Sequence, residues 1–198
     1  NPNGNYKAFL GKKILRAPSV GFDPDTPIHS RLYDFQRDIT RWALKLGRAA
    51  ALLDCGTGKT VIQLEFARHV RRKTQGRILI VAPLSVAEQT IREAKDKLQL
   101  NVGYVGDASE FNEGRSGIWI TNYDRISRFV EGVDSLSGIV LDESSILKSL
   151  DGKTRNLLLE KFTDIPYRLC CTATPCPNDI AEIANHAEFL SVMTRQEM

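Results

Sequence analysis

Six short apolar runs punctuate the chain, and each ends at small, polar or charged residues: AALLD (50–54), RILIVAP (77–83), NVGYV (101–105), GIWITN (117–122), SGIVLDE (137–143) and YRLCCTAT (167–174). Runs this short and continuous suit strands buried on both faces rather than strands with one wet side. Helix-period patterns fill the gaps, near 30–46, 59–73, 85–98, 153–163 and 178–190. A helix between successive strands carries the chain back along the sheet, so neighbouring strands run parallel and both faces are covered. The expected fold class is α/β, three layers built around a mostly parallel central sheet. No internal repeat or low-complexity tract interrupts the pattern.

Residues 1–28 depart from it. Pro2, Pro18, Pro24 and Pro27 with scattered glycines read as an N-terminal arm or loop, leaving 29–198 as one lobe. The closing EFLSVMTRQEM stops inside an apolar-periodic pattern without a cap, which reads as a piece of something longer. No apolar run reaches bilayer-spanning length and NPNGNYKAFLGKK lacks a signal-peptide core, so a soluble, cytoplasmic chain without a membrane partner is expected. Charge is uneven: residues 1–75 hold 14 of the 27 Lys and Arg but only 6 of the 24 Asp and Glu. Such a bias suits a polyanionic partner, although RHVRRK (68–73) equally suits a helix end, where cations meet the negative end of the dipole. Adjacent Cys170 and Cys171 read as small buried strand residues, and the four cysteines lack the paired spacing of a zinc site.

In sheets of this kind ligands bind beyond the carboxyl ends of the strands. The first such end is LLDCGTGKT (52–60). Gly56 and Gly58, flanking Thr57, tolerate the positive φ that turns backbone N–H groups towards a phosphate. Lys59 would reach the β- and γ-phosphates, the Thr60 hydroxyl would coordinate Mg²⁺, and the next helix would aim its positive end at the anion. Leu53 stands where the full pattern has glycine, so taken alone the stretch is equally a glycine turn with a surface lysine. IVLDESS supplies the complement. Asp142 is suited to holding Mg²⁺, and Glu143 to orienting or deprotonating an attacking water. Loop and acid pair at one sheet edge point to nucleotide hydrolysis. A third strand end, LCCTATPCPND, offers Thr172, Ala173 and Thr174 as links between that site and whatever moves when phosphate leaves, or a plain strand-to-turn transition.

Taken in order, these motifs resemble the first RecA-like lobe of a superfamily-two helicase or translocase. LDCGTGKT resembles its motif I, APLSV motif Ia, TNYD motif Ib, LDESSILKS motif II and TATP motif III, across residues 30–190. LYDFQRDITRWAL resembles the upstream glutamine motif, in which Gln36 would read adenine. The DESS-I-LK run and TPCPNDIAEI are similar to Swi/Snf-like ATPases, particularly phage and prophage members, which implies the cytoplasm of a bacterial host. Ser144 and Ser145 replace the residues that name the DEAD and DEAH boxes, which puts the coupling carried there in question.

The resemblance implies ATP and Mg²⁺ as cofactors and nucleic acid as partner, with duplex DNA favoured. Nucleic acid would cross Pro83, Ser85, Asn122, Tyr123 and Arg125, plus the loop after TATP. Arg125 equally reads as a surface helix residue. The resemblance also implies a second RecA-like lobe with an arginine finger, absent from this chain. Two alternatives stand beside a translocase: the translocating subunit of a restriction system, and an ATP-dependent nucleic-acid clamp that hydrolyses little. A phosphate-loop kinase fits less well, because it explains neither TATP nor Gln36.

Overall fold

The structure is a computed structural model, which describes residues 19–111, 117–148, 152–174 and 183–193. Helix α1 (Asp34–Leu46) starts where the Gln36 side chain accepts the Tyr33 N–H, and it stops at Gly47, whose left-handed φ of 76° lets its N–H reach Ala43 O. The chain then enters β1 (Arg48–Leu52), a glycine-bearing loop and α2 (Lys59–Thr74). Next come β2 (Arg77–Ala82), α3 (Leu84–Leu98), β3 (Val102–Tyr104) and β4 (Gly117–Asn122). A 3₁₀ stretch (Tyr123–Ser135) leads to β5 (Leu136–Asp142) and a short 3₁₀ turn (Ser144–Lys148). Helix α4 (Lys153–Lys161), β6 (Tyr167–Thr172) and α5 (Ile183–Phe189) follow.

The strands form one sheet in the order β1-β6-β5-β2-β4-β3, and every neighbouring pair is parallel. All six carboxyl ends therefore emerge on one edge. Side chains alternate between two buried clusters: Ile78, Ile80, Val140, Leu169 and Cys171 face one layer, while Leu79, Val81, Ile139, Leu141 and Cys170 face the other. The first cluster is closed by Leu44 of α1, Leu64 and Phe66 of α2 and Ala94 of α3. Phe129, Leu158 and Phe189 close the second. This is the three-layer α/β arrangement expected, and the adjacent cysteines lie on opposite faces of the sheet, both fully buried.

One strand boundary differs from expectation, and one further segment takes a regular form. β1 begins two residues earlier than AALLD, because α1 ends at Gly47 and Arg168 N–H already bonds to Gly47 O at 2.9 Å. Residues 123–135, between the fourth and fifth apolar runs, form consecutive 3₁₀ turns. Their buried residues Tyr123, Ile126 and Phe129 recur every third position, the period of that helix. Of the expected helix 178–190, only the part from Ile183 lies within the described residues.

The described part of the N-terminal arm, 19–28, forms no helix or strand. Its Val20 and Phe22 N–H groups bond to Leu46 O and Leu44 O, which gives two helix-end carbonyls their partners. Gly21 is required there, since a Cβ would fall 2.2 Å from Leu44 O. Among the described residues no helix is long and apolar enough to cross a membrane.

Candidate nucleotide site and nucleic-acid track

After Leu52 the chain turns through residues 53–58, with φ +78° at Gly56 and +80° at Gly58. A Cβ at Gly56 would meet nothing within 4 Å, so backbone conformation alone selects glycine there. At Gly58 a Cβ would also strike Gln36 Nε2 at 2.4 Å. Leu53 does not have a positive φ, and its N–H donates to Thr172 O at 3.1 Å. The loop's first position thus continues the ladder with β6 and makes no demand for glycine. Lys59 Nζ donates to Leu53 O (3.2 Å) and Asp54 O (3.3 Å) and lies 4.0 Å from Glu143 Oε1. Its ammonium sits between the loop and the acid pair.

Asp142 closes β5 and is buried, and its Oδ1 accepts a 2.6 Å hydrogen bond from Gln63 Nε2. Burial pushes its carboxyl above the ordinary range. The Gln63 bond and the Lys59 charge oppose the shift, while the charge of Glu143 adds to it. In a continuing strand Glu143 would point to the opposite face. Instead it takes φ 48°, a left-handed conformation that non-glycine residues adopt at a cost of about 1–3 kcal/mol. That turn brings its carboxylate to Lys59.

Thr172 is fully buried, and its hydroxyl accepts from Thr174 N at 3.1 Å. With Thr172 O bonded to the loop, this strand end touches the phosphate-loop backbone directly; Ala173 is half-buried and Thr174 exposed. The loop beyond it, 175–182, lies outside the described residues. Ser144, in the altered acidic motif, is buried and shares a 3.0 Å hydrogen bond with His186 Nε2 of α5. Asn185 Nδ2 donates to Leu147 O at 2.9 Å. The serine substitution thus ties the acid-bearing turn to the helix that follows β6. Ser145 donates back to Glu143 O at 3.3 Å.

Gln36 is buried at the loop's flank. Its Nε2 donates to Thr57 O (2.8 Å), while its Oε1 receives the Tyr33 N–H (2.9 Å). One amide hydrogen and one lone pair remain. Beside it, the exposed rings of Tyr33 and Phe35 stack at 6.3 Å, and a cavity of about 390 Å³ opens between them, Gln36 and Gly56–Gly58.

A second cavity, about 440 Å³, is lined by Pro83, Leu84, Asn122, Asp124, Glu143 and Ser145 among others. Ser85 is exposed on the first turn of α3. Two expected track residues turn inward instead. The Asn122 side chain is 4% exposed and donates to Tyr104 OH, and Tyr123 is 6% exposed with its hydroxyl donating to Asp142 O at 2.6 Å. Both bind neighbouring strand ends together, and both also line the second cavity. Arg125 is half-buried, its guanidinium leaning over Gly106, where a Cβ would lie 2.5 Å from Nη1.

Sequence reasoning missed Gln63 and Tyr104. Gln63 could have been found, because it lies one helical turn after Lys59 and faces the same edge. Tyr104, an aromatic in a short edge strand, carries no local signal.

Comparison with known proteins follows this layout. Residues 35–197 match the SNF2-related domain family. The chain is 24% identical to the ATP-dependent helicase FUN30 of Saccharomyces cerevisiae over 205 residues, which cover 93% of the chain and 17% of that protein. It is 28% identical over 181 residues to YqhH, an uncharacterized ATP-dependent helicase of Bacillus subtilis, with 89% of the chain and 31% of that protein covered. The chain thus spans under a third of the length of either relative. The Sulfolobus solfataricus SWI2/SNF2 ATPase core in complex with dsDNA superposes with a TM-score of 0.72 at 21% identity, over 86% of this chain and 38% of that one. At that identity the likeness speaks for the fold, a RecA-like lobe. With the matched span running from the glutamine-bearing helix through the phosphate loop, the acid pair and the threonine strand end, the chain belongs to the SNF2-related domain family.

Proposed function

We propose that this lobe binds ATP for an ATP-dependent translocase that moves on duplex DNA, with a second lobe elsewhere in the full-length protein. One observation carries the reading. Lys59 at the start of α2 and the consecutive Asp142 and Glu143 at the end of β5 converge at one sheet edge, with Lys59 Nζ 4.0 Å from Glu143 and Gln63 fixing Asp142. In this reading Gly56, Thr57, Gly58 and Lys59 cradle the phosphates. Gln36 meets the base beside Tyr33 and Phe35. Glu143 takes the proton of the attacking water.

The residues present fit Mg²⁺ held by Thr60 and Asp142. Asp142 is a buried carboxylate whose ionised form burial disfavours, the situation a bound cation relieves. Among the described residues no group of three or more His, Cys, Asp or Glu is placed to cage a metal, which suits an ion completed by phosphate oxygens and water. When bound, the ion would neutralise charge on the transferring phosphoryl group. Duplex DNA as the track draws support from the dsDNA complex of the archaeal neighbour. A phage or prophage origin and a bacterial cytoplasmic setting belong to the same reading, drawn from the DESS-I-LK and TPCPNDIAEI runs. The test is the ATPase rate of the full-length protein alone and with duplex DNA, single-stranded DNA or RNA. Duplex DNA should stimulate most, and equal rates in all four conditions would overturn the reading.

A further inference from the structure

Tyr104 closes β3 at the end of the sheet farthest from the phosphate loop, with 41% of the residue exposed. Its hydroxyl oxygen accepts a 3.0 Å hydrogen bond from Asn122 Nδ2. A phenol that accepts a hydrogen bond keeps its own O–H, and the accepted bond polarises that O–H into a better donor. Among the described residues nothing accepts this proton. Asn122 is buried at the end of β4, so the phenol is held from inside the protein while its ring stays in solvent.

One cation stands near the phenol. The Arg125 guanidinium leans over Gly106, two residues beyond Tyr104, so a hydroxyl donor and a cation flank the same turn. Two carboxylates share the turn: Glu110 Oε1 accepts the Gly106 N–H at 3.0 Å and lies, like Arg125 Nη1, against Gly106, and Asp107 Oδ1 accepts the Ser109 N–H at 2.8 Å. The exposed Ser85 hydroxyl lies on the same carboxyl edge, on the turn after β2. Uncharged hydroxyls, one cation and an aromatic ring suit a sugar–phosphate backbone, because none of them reads a base edge.

We propose that Tyr104 is a nucleic-acid contact that donates its phenol O–H to a backbone phosphate, and that buried Asn122 is the positioning residue that aims it. The proposal rests on the translocase reading and adds a residue outside the recognised motifs. It also gives the inward-turned Asn122 a part in the track.

The experiment measures binding of a fluorescent duplex DNA of arbitrary sequence by the full-length protein across a salt series, beside ATP affinity. Tyr104→Phe keeps the ring and removes only the O–H. It should weaken DNA binding roughly 10- to 150-fold, the range for one hydrogen bond to a charged acceptor. The salt slope should stay unchanged, because no charge is lost. ATP affinity should also hold, and in the DNA-stimulated ATPase the KM for DNA should rise while kcat stays. Asn122→Ala should match Tyr104→Phe in DNA affinity. Wild-type DNA affinity in Tyr104→Phe, with salt-sensitive binding intact, would overturn the role of Tyr104 alone. A wild-type protein without salt-sensitive DNA binding would overturn the translocase reading and this contact with it.

Discussion

Glu143 combines a strained backbone with the carboxylate proposed to activate water. Its left-handed turn moves the side chain out of the strand's alternation and towards Lys59, so strain and chemistry share one residue. Glu143→Gln keeps the shape but cannot take a proton. The full-length variant should bind ATP normally and hydrolyse it roughly 10²- to 10⁴-fold more slowly, measured as nucleotide affinity against single-turnover rate. Equal loss of both would make Glu143 structural. Lys59→Ala should instead weaken ATP binding, by roughly 10- to 100-fold for a charge-assisted phosphate contact, and an unchanged affinity would sink the phosphate-loop assignment. That Lys59, Asp142 and Glu143 share one sheet edge was legible, because Lys59 opens the helix after β1 and the two acids end β5. Asn122 and Tyr123 stand at a strand end too, yet their side chains turn inward. Which face a terminal strand residue takes depends on the partners waiting there, here Tyr104 OH and Asp142 O, and those come from other strands.

Helix α2, which opens at the phosphate loop, is anchored along its length by a buried charge cluster. Glu65 is fully buried and accepts from His29 N (2.7 Å) and from Arg68 Nε (2.9 Å), with His69 Nε2 at 3.2 Å, while Arg68 also reaches Pro27 O. Burial alone would push the Glu65 carboxyl up. The hydrogen bonds from His69, Arg68 and His29 together outweigh it and hold the carboxyl at about 2. A carboxyl lowered on folding adds stability above its unfolded value near 4.5 and loses it as pH falls towards about 2. Glu65→Gln should therefore destabilise the lobe by on the order of 3 kcal/mol at pH 7 and by little near pH 2. Denaturant melts of both proteins at the two pH values measure this, and a pH-independent difference would refute it. No sequence pattern marked this cluster, because its partners His29 and Pro27 lie far along the chain from Glu65 and Arg68. The strands were legible because burial on both faces leaves a continuous apolar run. The 3₁₀ stretch was not, because its three-residue period lies between the strand and α-helix periods.

Across the whole molecule, the strand order divides the carboxyl edge. β1, β6 and β5 carry the phosphate loop, the threonine strand end and the acid pair, while β2, β4 and β3 carry Pro83, Asn122 and Tyr104. At about 4.8 Å per strand gap, the outer strands stand roughly 24 Å apart, so a nucleotide at the loop after β1 and DNA at Tyr104 would not touch, although the proposed track also passes the loop after β6, next to β1. Glu143 lies at the seam, lining the cavity that Pro83 and Asn122 share. Such a layout can bind both ligands on one rigid sheet, but a rigid sheet cannot turn hydrolysis into movement. A second lobe closing over the same edge can, since it would contact both ligands and shift when phosphate leaves. Phosphoryl transfer is catalysed almost wholly by positioning and electrostatic stabilisation, and a cationic finger from another lobe supplies roughly 10³- to 10⁵-fold in rate. Residues 1–198 alone should therefore bind ATP yet turn it over slower than the full-length protein by a factor in that range. DNA should barely stimulate them. Steady-state ATPase assays of both, with and without duplex DNA, test this, and adding the remainder of the protein in trans should restore part of the rate. Brisk, DNA-stimulated turnover by residues 1–198 would mean that the site is complete within this chain or is completed by a second copy of it.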